Sequence, residues 1–242
     1  MPSSYGLPVS TDFSTIYSNF VFRTFGLCRL TDFTTMKKYI SKFHYLTQDL
    51  PQRSHVEQAQ IACEAGANWI QYRCMSKTDG EMIAELHQIA SICDDWGATL
   101  ILANHYHLLD KVDAQGVHIE DLDADLKAIR EAIMDEKTLG ASATDLEGLF
   151  KVQSSGVVDY CGYGPFAYTS TRPNDKPLLG FDGYRNLERE PIDIPVIAVG
   201  GILLKDVEPL LKTGIYGIAV SSTVNLSLDP AGMIKEIYRT VY

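Results

Sequence analysis

The chain is short of positive charge: 21 Lys and Arg stand against 31 Asp and Glu, for a formal net charge of −10. A surface of that sign repels nucleic acid and anionic membranes, so neither is expected as a partner. No run of about 18 apolar residues occurs, which argues against a membrane-spanning helix. Cysteine is sparse and unpatterned. Cys28, Cys63, Cys74, Cys93 and Cys161 are odd in number, widely spaced and form no C-x-x-C pair. This argues against a disulfide framework and against a structural zinc site, and it fits a reducing cytoplasm. Coiled-coil heptads and low-complexity tracts are also missing.

What remains is an ordinary globular composition. The 242 residues, 45% hydrophobic and 21% charged, suffice for one large domain with a substantial core. Residues 1–35 are rich in Ser, Thr, Phe and Tyr but show no helical or strand period. Arg23 and Arg29 interrupt their apolar residues and no charged region precedes them, so a secretory signal is not expected. They read as a dispensable N-terminal extension, with Met36-Lys37-Lys38 standing just before the first strand of a folded domain over residues 36–242.

From Lys42 onward, short apolar runs alternate with amphipathic stretches. Strands are expected over residues 43–47, 69–72, 99–103, 116–119, 138–142, 159–162, 196–199 and 216–220. Helices are expected over 55–65 and 79–96, with Gly66 and Gly97 as left-handed stops. Leu126, Ile129 and Ile133 mark the helix after strand four, Leu146, Leu149 and Val152 the next, and residues 231–238 the last. Eight β-then-α units in about 200 residues indicate a (β/α)8 TIM barrel of parallel strands, with an open doubly wound sheet as the alternative. The longest irregular stretch, 163–181, carries Pro165, Pro173 and Pro177 and reads as a functional loop or lid after strand six.

In such barrels chemistry sits where the strands end. Gln71 and Arg73 end strand two, Asn104 and His105 strand three, and Glu120, Asp121 and Asp123 follow strand four. Ser142 ends strand five, and strand six runs into Thr169, Thr171 and Arg172. Gly200-Gly201 and Ser221-Ser222 follow strands seven and eight. That last pairing matches a barrel phosphate site, because glycine lets backbone N–H groups approach an anion; a plain tight turn is the alternative. The acidic trio offers hard oxygens to Mg²⁺, or else caps a helix. Arg73 and Arg172 suit a second anionic group, unless they form surface ion pairs. An activated thiol at Cys74, beside Arg73, is weighed against an ordinary small residue. His118 alternates with Val117 and Ile119, as a hydrogen-bonded core histidine does, and His44 reads the same way.

These motifs resemble the thiamine phosphate synthase family and its sibling, the thiazole tautomerases, over residues 43–238. The resemblance rests on Gln71-Tyr72-Arg73, Asn104, Gly116-Val117-His118-Ile119 with Asp123, and Leu139-Gly140-Ala141-Ser142. Its strongest parts are residues 159–165, residues 169–172 and Ala198-Val199-Gly200-Gly201-Ile202. It implies a transferase of thiamine biosynthesis that joins hydroxymethylpyrimidine diphosphate to thiazole phosphate and releases pyrophosphate, with Mg²⁺ as cofactor. Carried over by position, Gln71, Arg73 and Ser142 would hold the pyrophosphate end, Asn104 the pyrimidine side, and Asp123 the Mg²⁺, with Glu120 and Asp121 nearby. Thr169 and Thr171 would line the thiazole phosphate site, Gly200, Gly201, Ser221 and Ser222 would cradle its phosphate, and Arg172 stands where the family has a lysine.

The chain departs from the family at Met75, where a lysine is usual, at His105, where an aspartate is usual, and at Glu120-Asp121, where Gly-Gln is usual. Lys77 lies two residues beyond Met75. Pro165 occupies the position where the tautomerases use a histidine. A synthase is thus the first expectation, with a tautomerase-like isomerase or a non-catalytic binder of thiamine precursors as alternatives. Phosphorylated small molecules are the expected partners, and the sequence leaves homo-oligomerisation open.

Overall fold

A computed structural model describes residues 38–169 and 177–242. The expected N-terminal extension lies outside the described residues, as do Thr171 and Arg172. The elements run β1 (Phe43–Leu46), α1 (His55–Glu64), β2 (Trp69–Tyr72), α2 (Asp79–Trp96), β3 (Thr99–Ala103), β4 (Gly116–Ile119), α3 (Leu126–Ile133) and β5 (Thr138–Ala143). They continue with α4 (Leu146–Ser154), β6 (Tyr160–Tyr163), α5 (Gly180–Arg185), β7 (Val196–Val199), α6 (Leu204–Leu211), β8 (Gly217–Val220), α7 (Ser222–Asn225) and α8 (Pro230–Val241).

All eight strands pair in parallel with their chain neighbours, and β8 returns to β1 with Phe43 opposite Ile218 and Tyr45 opposite Val220. The sheet is therefore a closed barrel, not an open doubly wound sheet. No helix among the described residues is long and apolar enough to cross a membrane.

Local chemistry explains where the longer helices begin and end. Ser54 and Thr78 accept the backbone N–H groups of Glu57 and Glu81, whose carboxylates reach back to the cap residues, so α1 and α2 both open with capping boxes. Gly97 ends α2 at φ 64°, a left-handed conformation that costs a residue with a Cβ more than glycine. One unit departs from the expected rhythm. Between β3 and β4 the described chain forms only a 3₁₀ turn, Tyr106–Leu108. Leu108, Leu109 and Val112, in and after this turn, are buried and cover that sector of the barrel.

Strand residues alternate between the helices and the barrel interior. Ile101, Trp69, Tyr160, Ile197 and Ala219 pack together inside as a layer of their own. His44 stacks on Trp69 with ring centroids 4.4 Å apart, and His118 stacks on Tyr160 at 5.3 Å. These rings fit because β5 and β6 contribute glycines. A Cβ on Gly140 would stand 2.2 Å from the Tyr160 ring and 2.6 Å from His118 Nδ1. At the opposite end of the barrel, Asp159 Oδ2 accepts from Arg130 (2.8 Å), Lys38 (3.0 Å) and the Leu139 N–H (2.8 Å).

The chain leaving β6 stays tied to the sheet. Phe166 and Ala167 donate N–H groups to Val199 O and Gly200 O, at 2.9 and 3.0 Å. On its return it docks at the same place: Leu179 donates to Pro165 O and Gly180 to Phe166 O, at 2.9 and 3.0 Å.

Candidate active site

The C-terminal ends of the strands enclose a cavity of about 380 Å³. Nine of the residues expected at the site form part of its wall: Gln71, Arg73, Glu120, Ser142, Thr169, Gly200, Gly201, Ser221 and Ser222. Two sides face each other across it. The exits of β2 and β4 supply a guanidinium and a carboxylate, and the exits of β7 and β8 supply glycines and hydroxyls.

On the first side, Arg73 and Glu120 form a two-pronged ion pair, Nε to Oε1 at 2.7 Å and Nη2 to Oε2 at 3.3 Å. Both side chains are largely buried, 14% and 10% exposed, so the pair is well shielded from water. Glu120 is positioned by Asn104, whose side-chain oxygen accepts the Glu120 N–H at 2.7 Å. Asn104 sits at φ 66°, a left-handed conformation that asparagine tolerates better than most residues. It is not part of the cavity wall; what the structure shows of it is the support it gives Glu120.

Asp121 and Asp123 are exposed on the turn beyond Glu120, and the Asp123 N–H donates to Asp121 Oδ1 at 3.0 Å. Neither belongs to the cavity wall, although Leu122 between them does. The helix cap weighed for Asp123 falls to Asp125, which accepts from the Lys127 and Ala128 N–H groups at the start of α3. His105, in place of a carboxylate, pairs through Nε2 with Cys74 O at 3.1 Å.

The floor is polar. His118 Nε2 lies 3.0 Å from Ser142 Oγ, and Nδ1 lies 3.1 Å from the Tyr160 hydroxyl. His118 is thus a hydrogen-bonded interior histidine, as its alternation predicted, and it also faces the cavity. Burial holds the Tyr160 phenol well above its usual range, with Asp159 and Cys161 adding to the effect. Burial, and then the neighbouring His118, push His44 down to about 3 against a hydrogen bond with Ser41 O. His44 is therefore a neutral ring at ordinary pH.

On the opposite side, Gly200 and Gly201 adopt φ 93° and 70°. A Cβ on Gly201 would lie 2.6 Å from both Ala167 O and Tyr168 O. The need for glycine there comes from packing against the β6 exit, quite apart from any anion. Ser221 donates to Gln48 Oε1 at 3.3 Å and accepts from Asn225 Nδ2 at 3.3 Å, while Ser222 opens the short helix α7.

Two features of the site escaped the sequence: the pairing of Arg73 with Glu120, and the Tyr160–His118–Ser142 series. For the first, alternation puts Glu120 on the same face as His118, but the partner it meets there is set by register across the barrel. The second depends on Gly140 leaving space, which no local pattern announces.

With the geometry in place, likeness to known proteins becomes informative. Residues 45–224 match the family model for thiamine monophosphate synthase. A thiamine-phosphate synthase of Phocaeicola vulgatus is 32% identical over 200 residues, covering 81% of this chain and 96% of that protein. One from Salinibacter ruber is 33% identical over 196 residues, covering 80% and 86%. The solved thiamine phosphate pyrophosphorylase of Pyrococcus furiosus shares the fold with a TM-score of 0.73 at 29% identity, covering 83% of this chain and 95% of that one. The family's profile and relatives matched over nearly their whole length agree: this chain belongs to the thiamine monophosphate synthase family.

Proposed function

We propose that the chain is a thiamine-phosphate synthase, a transferase that joins hydroxymethylpyrimidine diphosphate to thiazole phosphate and releases pyrophosphate, in a reducing cytoplasmic setting. The observation that carries this reading is one cavity with a guanidinium on one side and, facing it, a pair of glycines and two serine hydroxyls. Arg73 lies on one side, and Gly200, Gly201, Ser221 and Ser222 lie on the other. Two phosphorylated substrates placed against them would meet over the His118–Ser142 floor.

The chemistry asks for charge stabilisation and placement rather than a protein nucleophile. The bond between the pyrimidine methylene carbon and the diphosphate oxygen breaks, and pyrophosphate keeps the electron pair. The thiazole nitrogen then gives its lone pair to the methylene carbon, with no proton removed at that atom. Arg73 neutralises charge growing on the leaving oxygens, and Gln71 orients the same end. If Tyr160 donates to His118 Nδ1, His118 Nε2–H donates to Ser142 Oγ. The serine hydroxyl is then free to donate into the cavity.

The donor set suits Mg²⁺. The cavity wall offers one hard carboxylate, Glu120, with Asp121 and Asp123 exposed on the adjoining turn, and Mg²⁺ is often held by one or two carboxylates plus substrate oxygens and waters. Glu120 and Asp123 would hold the ion, which supplies Lewis-acid stabilisation of the leaving pyrophosphate.

The direct test is pyrophosphate release from the two substrates together with Mg²⁺; release that needs both substrates is the expected result. One observation favours a second reading, a binder of thiamine precursors without turnover: Arg73 already has a carboxylate partner in Glu120. Saturable binding of both substrates with no pyrophosphate would establish that reading instead.

A further inference from the structure

The ends of β1 and β2 bring together a carboxylate, an imidazole and a thiol that the proposed reaction does not use. Asp49 follows β1, His55 opens α1 and Cys74 follows β2. Asp49 Oδ1 lies 3.1 Å from His55 Nε2 and 3.4 Å from Cys74 Sγ. The three atoms lie within 4.8 Å of one another. His55 and Cys74 are 2% and 1% exposed, whereas the Asp49 side chain is 32% exposed. The cluster is therefore shielded at its nitrogen and sulfur and open to solvent at its carboxylate.

Zinc binds thiolate sulfur at about 2.3 Å and imidazole nitrogen or carboxylate oxygen at about 2.0–2.2 Å, so a tetrahedral site spaces its ligand atoms by roughly 3.3–3.8 Å. The observed 3.1 and 3.4 Å are within a few tenths of an ångström of that spacing. Ser76 Oγ, 2.9 Å from Asp49 Oδ1 and exposed, marks where a fourth ligand or a water would stand. The surroundings support the imidazole as well. His55 Nδ1 lies 2.7 Å from Thr47 Oγ1, the kind of outer hydrogen bond that fixes a ligating histidine.

We propose that Asp49, His55 and Cys74 form a site for a borderline-soft divalent cation of the Zn²⁺ type, which clamps the β1 exit to the loop carrying Arg73. The thiol excludes the alkaline-earth ions from this role: thiolate and imidazole favour zinc-like metals, and Mg²⁺ prefers an all-oxygen shell. The connection to Arg73 is short. Its backbone N–H donates to the same Thr47 Oγ1 at 3.0 Å, and Cys74 is the next residue. None of the three ligands lines the cavity, so the ion acts on the loop and not on substrate.

Binding balances simply. The thiol loses its proton to solvent, and sulfur, Nε2 and Oδ1 each give a lone pair to the metal. The neutral imidazole moves its proton from Nε2 to Nδ1, where Thr47 Oγ1 accepts it. One proton leaves per ion bound, so affinity rises with pH.

The test uses Co²⁺ as a spectroscopic substitute for Zn²⁺ on the full chain, with excess Mg²⁺ present. One equivalent is expected, with a thiolate-to-cobalt charge-transfer band in the near ultraviolet. Cys74→Ser should abolish the band, and His55→Gln and Asp49→Asn should each weaken Co²⁺ binding by at least about tenfold. Zn²⁺ should displace Co²⁺ and raise the melting temperature of the wild-type chain, and a chelator should reverse that rise. Absence of the band in folded wild-type protein would reduce the cluster to a hydrogen-bond hub on Asp49 and overturn the proposal. So would a band that survives Cys74→Ser, since the thiolate would then come from another cysteine. If Cys74→Ser does not fold, the two other variants decide: unchanged Co²⁺ affinity in both overturns the site. The experiment involves neither substrate, so its outcome is independent of the proposed synthase activity.

Discussion

In the proposed reaction the two sides of the cavity would meet the same demand, holding a phosphorylated group, in opposite ways. The β2–β4 side uses formal charge, and it keeps Arg73 paired with Glu120. The β7–β8 side uses glycine backbone and serine hydroxyls, with its shape fixed by close packing of Gly201 against Ala167 and Tyr168. Charge can be moved or re-paired when a substrate arrives, whereas packed backbone is already in position. On the proposed function, the first side would suit a leaving group whose charge changes during the reaction, and the second a phosphate that stays the same throughout.

The sharpest way to separate the two is to remove the charge from one. Arg73→Ala should lower pyrophosphate release by about a hundredfold or more, the scale of losing one preorganised anion-stabilising group. Its affinity for thiazole phosphate alone, measured by calorimetry, should change little. A matching loss of thiazole phosphate affinity would merge the two sides into one. Gly201→Ala should act through structure instead. A left-handed φ costs a non-glycine residue roughly 1–2 kcal/mol, and the overlap with two carbonyls adds to that. A stability loss of about 2–3 kcal/mol in denaturant unfolding is expected, with thiazole phosphate binding weakened and pyrimidine diphosphate binding retained.

The metal can be placed by ranking two carboxylates. Glu120→Gln should raise the Mg²⁺ concentration needed for half-maximal rate by about tenfold, and Asp123→Asn by less, because only Glu120 lines the cavity. The reverse order would move the ion out to the exposed turn. The floor beneath both sides makes a prediction about pH. His44 is neutral in the fold and is held down to about 3, while an unfolded histidine titrates near 6.5. Below about 6.5 the unfolded chain therefore binds the extra proton, and stability falls by up to about 1.4 kcal/mol per pH unit on the way down towards 3. In His44→Asn, unfolding followed across that range should show a shallower decline; an unchanged slope would assign the acid sensitivity elsewhere. The smallest effect is expected from starting the chain at Met36, which should leave melting temperature and ligand affinity nearly as they are. A large loss of either would make residues 1–35 part of the working protein.

Most of the barrel was legible because parallel strands buried on both faces read as short apolar runs, and their helices carry capping signals. The stretches 69–72, 99–103 and 196–199 match β2, β3 and β7 end for end, as 79–96 matches α2. The missing α-helix after β3 was not legible, because Leu108, Leu109 and Val112 stand at helical spacing yet bury in a 3₁₀ turn and the irregular chain after it. At the site, the rule that polar residues gather at strand ends found nine residues of the cavity wall. It did not say which of them would engage each other. Asn104 and Glu120 are 16 residues apart, and Arg73 and Glu120 are 47 apart. Sequence order does not encode those meetings, which register across the barrel produces. Asp49, His55 and Cys74 are a stronger case, since their spacing matches no zinc motif and only the adjacency of β1 and β2 joins them.

The chain leaves the sheet at Phe166 and is fastened again at Leu179 and Gly180, hydrogen-bonded to Pro165 and Phe166 themselves. The two feet of this excursion thus stand on one spot, and Ala167 and Tyr168, just past the first foot, still pack against Gly201. Loop closure grows slowly with length, so even doubling such a segment costs only about 0.6 kcal/mol. The closure itself rests on Pro165, Phe166, Leu179 and Gly180, whose hydrogen bonds hold both ends. A longer or shorter connection would leave those end bonds, and the register of the eight strands, in place.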